Sequence, residues 1–223
     1  IYVLKLHENF RSYMDEKIYL DYNATTPCDP IVVDHMLPFF TEKLGNPSSS
    51  HHAFGWIARD VVQESTQMIA DALGISPRTL TYTSGATESA NMILKSFTGK
   101  NEYGLNHIVT CKTEHKAVLD TCEWLKRNEL ANVTYLDVDE HGVVDLEQLK
   151  DSLRPETVLI AIMHSNNETG TIQPLKAIGK IIEGRNIRLF TDATQSLGKV
   201  PLEDLFEVAD YACFSGHKLY GPK

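Results

Sequence analysis

Short apolar runs alternate with amphipathic stretches along the chain from residue 18 onward. The apolar runs are rich in Val, Ile, Leu, Thr, Tyr and Phe and are four to six residues long, which is typical of strands. The run at 158–163 is uninterrupted, as expected of a strand that is buried on both faces. Six runs predict strands: 79–83, 107–111, 133–136, 158–163, 187–191 and 211–214.

Between these runs, apolar residues recur with a period of three to four, which predicts amphipathic helices. The longest stretch has apolar residues at 57, 61, 68, 69 and 73, and Gly74 provides its stop signal. Four more helices are predicted from Ala86, after Thr113, from Asp145, and between Pro174 and Gly184. Alternation of strands and helices at this spacing predicts an α/β fold, with a mainly parallel sheet covered by helices on both faces.

Length and composition fit one large domain. The chain has 223 residues, of which 42% are hydrophobic and 23% are charged. We assign this domain to 18–223 and leave the mixed, polar segment 1–17 unplaced. The net charge of −9, without a basic stripe, argues against a nucleic-acid partner. No secretory signal is recognisable, and no apolar run approaches the roughly 20 residues that cross a membrane.

The cysteines and histidines do not predict a metal site. The four cysteines lack CxxC spacing, so we expect buried, reduced thiols in a cytoplasmic protein: Cys28, Cys111, Cys122 and Cys213. His51 and His52 are adjacent in sequence, but neighbouring side chains in a loop rarely converge on one ion, and no third ligand is evident.

Polar clusters directly follow five of the six predicted strands. Because ligands bind at the carboxyl ends of the strands in open α/β sheets, we expect one shared site built from these clusters. The clusters span residues 83–87, 113–115, 164–168, 192–195 and 215–218.

The first cluster has features of a phosphate site. Ser84-Gly85-Ala86-Thr87 is a small turn between a predicted strand and a predicted helix. Such a turn exposes backbone N–H groups at the positive end of the helix dipole, where a phosphate binds. The alternative is an ordinary tight turn with a helix cap, and the turn matches neither of the common nucleotide-binding motifs.

Lys218 and Asp192 suggest a cofactor with an aldehyde and a ring nitrogen. A lysine at a buried strand end needs a partner or a lowered pKa, and a Schiff base with an aldehyde meets that need. Asp192 ends a predicted strand, where a carboxylate is costly unless it meets a cation such as a protonated pyridine nitrogen. The alternatives are an ion pair between Lys218 and a carboxylate at the edge of the sheet, such as Asp192, or a helix-capping role for Asp192.

Three further residues suit a flat, polar cofactor. His115 could lie over an aromatic ring and transfer protons, because an imidazole titrates near neutral pH. Asn167 and Gln195 have amide donors suited to a phenolic oxygen or a substrate carboxylate. Each of the three is equally compatible with a structural role when considered alone.

Taken together, the motifs resemble the cysteine desulfurases of the NifS and IscS type, within the class V aminotransferase superfamily. The resemblance covers about 19–223. Residues 113–116 and the final 221–223 favour this branch over the selenocysteine-lyase-like one. The matching blocks are 20–27, 45–52, 82–89, 113–118, 163–168, 192–196 and 215–223.

This resemblance implies pyridoxal 5'-phosphate as the cofactor and the large domain of a fold type I enzyme. Lys218 would hold the cofactor and move protons, and His115 would stack on its ring and assist acid–base steps. Asp192 would pair with the ring nitrogen, Gln195 would bond the phenolic oxygen, and Asn167 would help place the substrate. The phosphate would be held by the remaining matched residues: Ala86, Thr87, Ser215 and His217.

The resemblance also implies an activity and partners. The reaction would remove sulfur from L-cysteine, giving L-alanine and an enzyme persulfide for sulfur transfer, as in iron–sulfur cluster biogenesis. We expect a homodimer that delivers sulfur to an acceptor or scaffold protein. We also expect a chain truncated after the lysine motif, so that the nucleophilic cysteine, the arginine that grips the substrate carboxylate and a small C-terminal domain lie beyond Lys223. This fragment alone would then be incomplete for turnover. Alternatives are a selenocysteine lyase, another class V enzyme, or a non-catalytic scaffold of the same fold.

Overall fold

A parallel sheet lies at the centre of the computed structural model, which describes residues 18–223. The predicted N-terminal segment, 1–17, lies outside the described residues. Five strands form this sheet in the order β4-β3-β5-β6-β7, and all its neighbouring strands are parallel. A separate two-stranded antiparallel ribbon pairs β1 with β2. The strands are β1 (Lys100–Asn101), β2 (Gly104–Leu105), β3 (His107–Cys111), β4 (Asn132–Leu136), β5 (Thr157–Ala161), β6 (Arg188–Asp192) and β7 (Tyr211–Cys213).

Helices connect the strands, as the sequence pattern predicts. The α/β class and the mainly parallel sheet are therefore confirmed. Within 18–223 the α-helices are α1 (Pro30–Met36), α2 (Pro38–Thr41), α3 (Ala53–Leu73), α4 (Ala86–Ser96), α5 (Lys116–Arg127), α6 (Leu146–Ser152), α7 (Leu175–Ile182) and α8 (Glu203–Val208). Two short 3₁₀ turns span Pro77–Thr79 and Gly216–Lys218.

The core has two parts, one on each face of the sheet. Successive residues of a strand point to opposite faces, so Ile108 and Val109 of β3 belong to different parts. Ile108 packs with Leu94 of α4 and Leu125 of α5, whereas Val109 packs with residues of α6, α7 and α8 such as Ile178. Helices therefore cover both faces, and the sheet is held rigidly between them.

Local sequence signals explain where several helices begin and end. Helix α3 ends at Gly74, which has the left-handed conformation (φ 66°) that favours glycine. At its start, Nδ1 of His52 accepts the backbone N–H of Gly55. The neighbouring His51 contacts the hydroxyl of Ser50 through Nε2, so the two adjacent histidines have different local contacts. Asp145 caps α6 by accepting two backbone N–H groups.

A buried histidine joins three strands at the amino edge of the sheet, which we define as the edge where the parallel strands begin. Nδ1 of His107 lies 2.8 Å from Oγ1 of Thr157 on β5, and Nε2 lies 2.9 Å from Oγ1 of Thr134 on β4. The ring is fully buried. Burial lowers the pKa of His107 to about 4, with a smaller effect from the positive charge of Arg154. The ring is therefore neutral and cross-links the strands.

The predicted strand at 79–83 is wrong. Pro77 begins a 3₁₀ turn that Ser76 caps, and the hydroxyl of Thr79 donates to the carbonyl of Ser76, so the start of the run is drawn into a turn. Residues 80–83 run on without a strand partner among the residues that the structure describes. The short helices α1, α2 and α8 and the ribbon of β1 and β2 were not predicted.

Burial of the cysteines agrees with the expectation of reduced thiols. Cys111, Cys122 and Cys213 are buried and Cys28 is half-buried, and all four are free. Burial raises the pKa of Cys122 to about 12, so this thiol stays protonated near neutral pH. No helix within 18–223 has both the length and the apolar character required to cross a bilayer.

Candidate active site

One cavity lies at the carboxyl edge of the sheet, the edge where the parallel strands end. Its volume is about 400 Å³. All five predicted polar clusters contribute to its lining, as does a loop near the start of the described chain. The nine predicted cofactor-binding residues all line it: Ala86, Thr87, His115, Asn167, Asp192, Gln195, Ser215, His217 and Lys218.

The turn before α4 presents backbone N–H groups to this cavity. Gly85 has φ 156° and ψ 175°, a conformation that is essentially restricted to glycine, and α4 starts at the next residue. The N–H groups of Ala86 and Thr87 belong to the first turn, whose donors lie outside the hydrogen bonds of the helix itself. The backbone N–H of Ser84 donates to Oε2 of Glu88 at 2.6 Å, which holds the turn closed. The arrangement provides an anion site.

Asp192 provides a buried negative charge on another wall. It is the last residue of β6 and only 7% exposed. Oδ1 accepts the backbone N–H of Thr194 at 2.9 Å, which fixes the carboxylate. Burial, together with the neighbouring charge of Asp192, raises the pKa of the Cys213 thiol, so that residue remains uncharged beside it. The carboxylate therefore suits a cationic group in the cavity.

His115 presents an exposed imidazole to the same cavity. It caps α5, and Nδ1 accepts the backbone N–H of Ala117 at 3.1 Å. Because Nδ1 acts as an acceptor, the neutral ring carries its proton on Nε2. The ring is exposed although its position is fixed by the cap. An exposed, oriented ring is suited to stack on a flat group.

Lys218 lies on a 3₁₀ turn just after β7 and is half-buried. The turn is followed by Tyr220, which has a left-handed φ of 57°, an uncommon conformation for a bulky residue. At Gly221 a Cβ atom would lie 2.8 Å from the carbonyl oxygen of Gly216, so glycine is required there. The tight approach folds the chain back over the lysine turn and restricts where Lys218 can point.

The loop containing Thr25 and Thr26 braces the lysine turn. The carbonyl oxygen of His217 accepts the backbone N–H of Thr26 at 2.9 Å and its hydroxyl at 3.0 Å. Nδ1 of His217 lies 3.0 Å from Oγ1 of Thr25. Burial and the charges of Lys218 and Lys223 lower the pKa of His217, which favours a neutral ring. The sequence block 20–27 therefore contributes to the site as a support.

Asn167 and Gln195 approach each other through Asn23. Nε2 of Gln195 donates to the carbonyl oxygen of Asn23 at 2.8 Å, and Nδ2 of Asn23 donates to the carbonyl oxygen of Asn167 at 3.4 Å. Gln195 is only 9% exposed although it lines the cavity. The loops after β5 and β6 are thus connected through the segment that precedes α1.

Glu114 is a buried residue of the site whose role was not predicted. Its carboxylate accepts the backbone N–H of Met163 at 2.6 Å, which ties the end of β3 to the chain after β5. Burial raises the pKa of Glu114 well above its ordinary value, and the charge of Asp192 adds to that effect. Glu114 lies in the matching block 113–118, but the sequence of that block does not show that Glu114 points inward while His115 points outward.

Other cavity residues were also missed. Ala24, Ser165 and Thr194 line the cavity, and Oγ1 of Thr194 is buried without a partner among the residues that the structure describes. Thr194 lies within the predicted cluster 192–195, so its position pointed to the site. A threonine is equally common in structural positions, so its residue type did not mark it as a site residue. Within 18–223, no group of three or more His, Cys, Asp and Glu side chains is arranged to hold a metal ion.

Comparisons with known proteins agree on one family. The class V aminotransferase family model matches residues 18–223. The chain is 48% identical over 208 residues to "Cysteine desulfurase IscS" of Escherichia coli O139:H28 (strain E24377A / ETEC), a match that covers 92% of this chain and 51% of that protein. The same figures hold for "Cysteine desulfurase IscS" of Shigella boydii serotype 18 (strain CDC 3083-94 / BS512). The chain spans about half the length of these curated relatives.

Solved structures show the same likeness. A structure titled "NIFS-LIKE PROTEIN" superposes with a TM-score of 0.85 at 41% identity, and the match covers 93% of this chain and 57% of that one. A structure titled "SspA in complex with cysteine" superposes with a TM-score of 0.83 at 36% identity, covering 93% of this chain and 59% of that one.

Proposed function

Since the chain belongs to the class V aminotransferase family, we propose that it forms the cofactor-binding part of a pyridoxal-phosphate-dependent cysteine desulfurase. The observation that carries this proposal is the convergence of Lys218, Asp192 and the start of α4 on one cavity. The three supply an amine, a carboxylate and an anion site. The identity to curated cysteine desulfurases supports the choice of reaction within the family.

The residues present fit this cofactor. Pyridoxal phosphate has an aldehyde, a ring nitrogen that takes up a proton and a phosphate, and the cavity offers a matching group for each. Gly85 has a backbone conformation that is essentially restricted to glycine, and the N–H groups of Ala86 and Thr87, which follow it, are available to the phosphate. The buried Asp192 suits the protonated nitrogen, and Lys218 suits the aldehyde. The cofactor, when bound, supplies an electron-accepting ring that stabilises negative charge at the substrate α-carbon.

Each residue has a task that follows from its position. Asp192, which Thr194 orients, would hold a proton on the ring nitrogen and so maintain the electron demand of the ring. His115 would lie over the ring and offer the proton on Nε2. Nζ of Lys218 would move a proton to and from the substrate. The hydroxyls of Thr87 and Ser215 and the ring of His217 would add donors to the phosphate.

The proposed reaction transfers the sulfur of L-cysteine to a protein thiol. L-cysteine and the thiol give L-alanine and a persulfide, so the C–S bond breaks and an S–S bond forms. Cys111, Cys122 and Cys213 are buried, and burial raises their pKa values, which makes them poor sulfur acceptors. Cys28 is half-buried and lies outside the cavity lining. Because the chain spans about half the length of the curated cysteine desulfurases, we propose that the accepting cysteine and the arginine for the substrate carboxylate belong to the protein outside residues 18–223.

We also propose a cytoplasmic homodimer that passes sulfur to an acceptor or scaffold protein, as in iron–sulfur cluster biogenesis. The support is the likeness to cysteine desulfurases and the buried, free state of most of the thiols. Size-exclusion chromatography with light scattering tests this proposal, which predicts a particle with twice the mass of one full-length chain.

Product analysis tests the proposed reaction. The full-length protein is supplied with pyridoxal phosphate and L-cysteine, and alanine and released sulfide are quantified with a thiol reductant present. The proposal predicts equal amounts of both products and their loss in Lys218→Ala. L-selenocysteine is the comparison substrate. A strong preference for it, or pyruvate in place of alanine, would assign the protein to another member of the family.

A further inference from the structure

Lys199 contacts a residue of the cavity wall without lining the cavity itself, and the proposed reaction does not use it. It lies in the loop after β6, and its side chain is largely at the surface. Its ammonium group nevertheless turns inward and donates to Oε1 of Gln195 at 2.6 Å. Gln195 is buried and lines the cavity. Lys199 therefore contacts a wall residue of the site from behind.

The contact determines which way the carboxamide of Gln195 faces. A carboxamide has one oxygen that accepts and one nitrogen that donates two hydrogens. In the structure Oε1 accepts from Lys199, while Nε2 donates to the carbonyl oxygen of Asn23 at 2.8 Å. A flipped amide would place N–H groups against the ammonium and an oxygen against the carbonyl, and both contacts would be repulsive. The two neighbours therefore enforce one orientation.

Asn23 is itself held in place. Its Nδ2 donates to the carbonyl oxygen of Asn167 at 3.4 Å, so three successive hydrogen bonds connect Lys199, Gln195, Asn23 and Asn167. One hydrogen of Gln195 Nε2 is used in this series. The second hydrogen has no partner among residues 18–223 and can serve a ligand in the cavity that Gln195 lines.

We propose that Lys199 is a positioning residue, which fixes the carboxamide of Gln195 so that its remaining N–H donates to the phenolic oxygen of the bound cofactor. The identity of that oxygen rests on the proposed function, whereas the orientation of Gln195 does not. The charge of Lys199 also lies close to that of Lys218: burial and the Lys218 charge both lower the pKa of Lys199.

Cofactor release from the full-length holoenzyme tests the proposal. Lys199→Met removes the donor but keeps the length of the side chain, and we expect roughly fivefold faster release, since a hydrogen bond of this kind is worth about 1 kcal/mol. Lys199→Arg keeps a cationic donor and should stay within about twofold of wild type. The control is Lys180→Met, which removes an exposed lysine from α7, outside the cavity.

A double-variant comparison separates positioning through Gln195 from an independent effect. If Lys199 acts through Gln195, then Lys199→Met combined with Gln195→Leu releases the cofactor no faster than Gln195→Leu alone. If the accelerations of cofactor release caused by the two single substitutions multiplied in the double variant, the proposal would be overturned. Release of the cofactor from Lys199→Met at the wild-type rate would overturn it as well.

A measurement on the cofactor-free protein tests the positioning role of Lys199 independently of the proposed function. In the cofactor-free, full-length protein labelled with ¹⁵N-glutamine, the Gln195 side-chain signal is assigned by its loss in Gln195→Leu. We expect its amide hydrogens to exchange with water several-fold faster in Lys199→Met and near the wild-type rate in Lys199→Arg. Unchanged exchange in Lys199→Met would contradict the positioning role. Wild-type protein that takes up no pyridoxal phosphate would contradict the proposed function, while leaving this result interpretable.

Discussion

Polar side chains concentrate at both edges of the parallel sheet, but they are satisfied in different ways. At the amino edge, His107 is fully buried, and both ring nitrogens contact threonine hydroxyls of neighbouring strands. At the carboxyl edge, Asp192 and Gln195 are almost as buried, yet they line a cavity of about 400 Å³. One edge uses its polar groups to join strands, whereas the other presents them to a ligand.

The difference shows why burial alone does not identify function. Buried polar groups are normally paired, and both ring nitrogens of His107 contact the protein itself, although Oδ1 of the neighbouring Asn106 has no partner among the described residues. Behind the carboxyl edge, Nδ1 of His164 and Oγ1 of Thr191 and Thr194 have no partner among the described residues. Such groups reduce stability unless a ligand or water meets them. The comparison therefore predicts that substitutions at the amino edge affect unfolding, and that substitutions at the carboxyl edge affect the proposed chemistry.

The largest effect is expected for Lys218→Ala at the carboxyl edge. Without the amine, turnover of L-cysteine should fall by roughly 10³-fold or more, because covalent attachment and a proton carrier are lost together. The free energy of unfolding of the cofactor-free protein should change by less than about 1 kcal/mol, since the side chain is only half-buried. Steady-state kinetics and chemical denaturation measure the two quantities. A large loss of stability with activity retained would reverse the comparison.

His107→Ala should produce the opposite pattern. We expect the free energy of unfolding to fall by about 3 kcal/mol, because the substitution leaves a cavity and removes a hydrogen-bond partner of the buried Thr157 hydroxyl and of the half-buried Thr134 hydroxyl. Cofactor binding should remain within about twofold of wild type, since His107 lies at the other end of the sheet. Denaturation and cofactor titration of the same preparation give both values, and impaired cofactor binding at wild-type stability would refute this assignment.

The pH dependence of stability gives a second test of His107. Its pKa is lowered to about 4 in the fold, against an ordinary value of 6.5, so the unfolded chain binds the proton first as the pH falls. The contribution of His107 is present above pH 6.5 and is lost as the pH approaches 4, by up to about 3 kcal/mol. The difference in unfolding free energy between wild type and His107→Ala should shrink over that interval. His141→Ala is the control, because that ring is exposed.

Glu114→Gln should change the pH dependence of the unfolding free energy less than His107→Ala does, and in the opposite direction. Burial raises the pKa of Glu114 in the fold, so the native state holds the proton more tightly than the unfolded chain. Wild-type stability should therefore decrease as the pH rises above the ordinary carboxyl range, relative to Glu114→Gln, whose amide can still accept the N–H of Met163. Glu64→Gln, on the exposed side of α3, is the control. Equal pH profiles for wild type and Glu114→Gln would show that Glu114 titrates normally.

The smallest effect is expected at a charged pair that lies near the carboxyl edge but outside the cavity. Lys112 follows β3 and forms an exposed ion pair with Asp137, and neither residue lines the cavity. Lys112→Ala should change the free energy of unfolding by less than about 1 kcal/mol and leave turnover unchanged. A marked loss of turnover would mean that location at this edge, rather than contact with the cavity, determines the effect.

Much of the fold was predictable because its signals are local. Runs of β-branched residues predicted β3 to β7 to within a few residues, and Gly74 and Asp145 end and begin their helices through their own backbone or side-chain chemistry. The run at 79–83 failed because Pro77 and Ser76 set a turn that outweighs strand composition. A strand also needs a partner, and pairing is a property of distant residues that composition does not reveal.

The site was predictable where a residue follows a strand, and less so where it acts through another residue. The position of Asp192 and Lys218 after strand-like runs was enough to place them at one edge. Nothing local indicates that Thr26 braces the lysine turn or that Lys199 turns back to Gln195, because these contacts join segments that are distant in sequence or depend on a side-chain rotamer. The burial of Glu114 and the exposure of its neighbour His115 likewise result from packing, which the local sequence does not reveal.

The central claim is that Lys218, at the carboxyl edge, holds pyridoxal phosphate. The full-length protein loaded with the cofactor is treated with borohydride, which reduces the bond between lysine and cofactor to a stable one, and its peptides are analysed by mass spectrometry. The account predicts one modified peptide, with the pyridoxyl phosphate group on Nζ of Lys218. An adduct on the neighbouring Lys199 instead, or no adduct on a lysine lining the cavity, would contradict it.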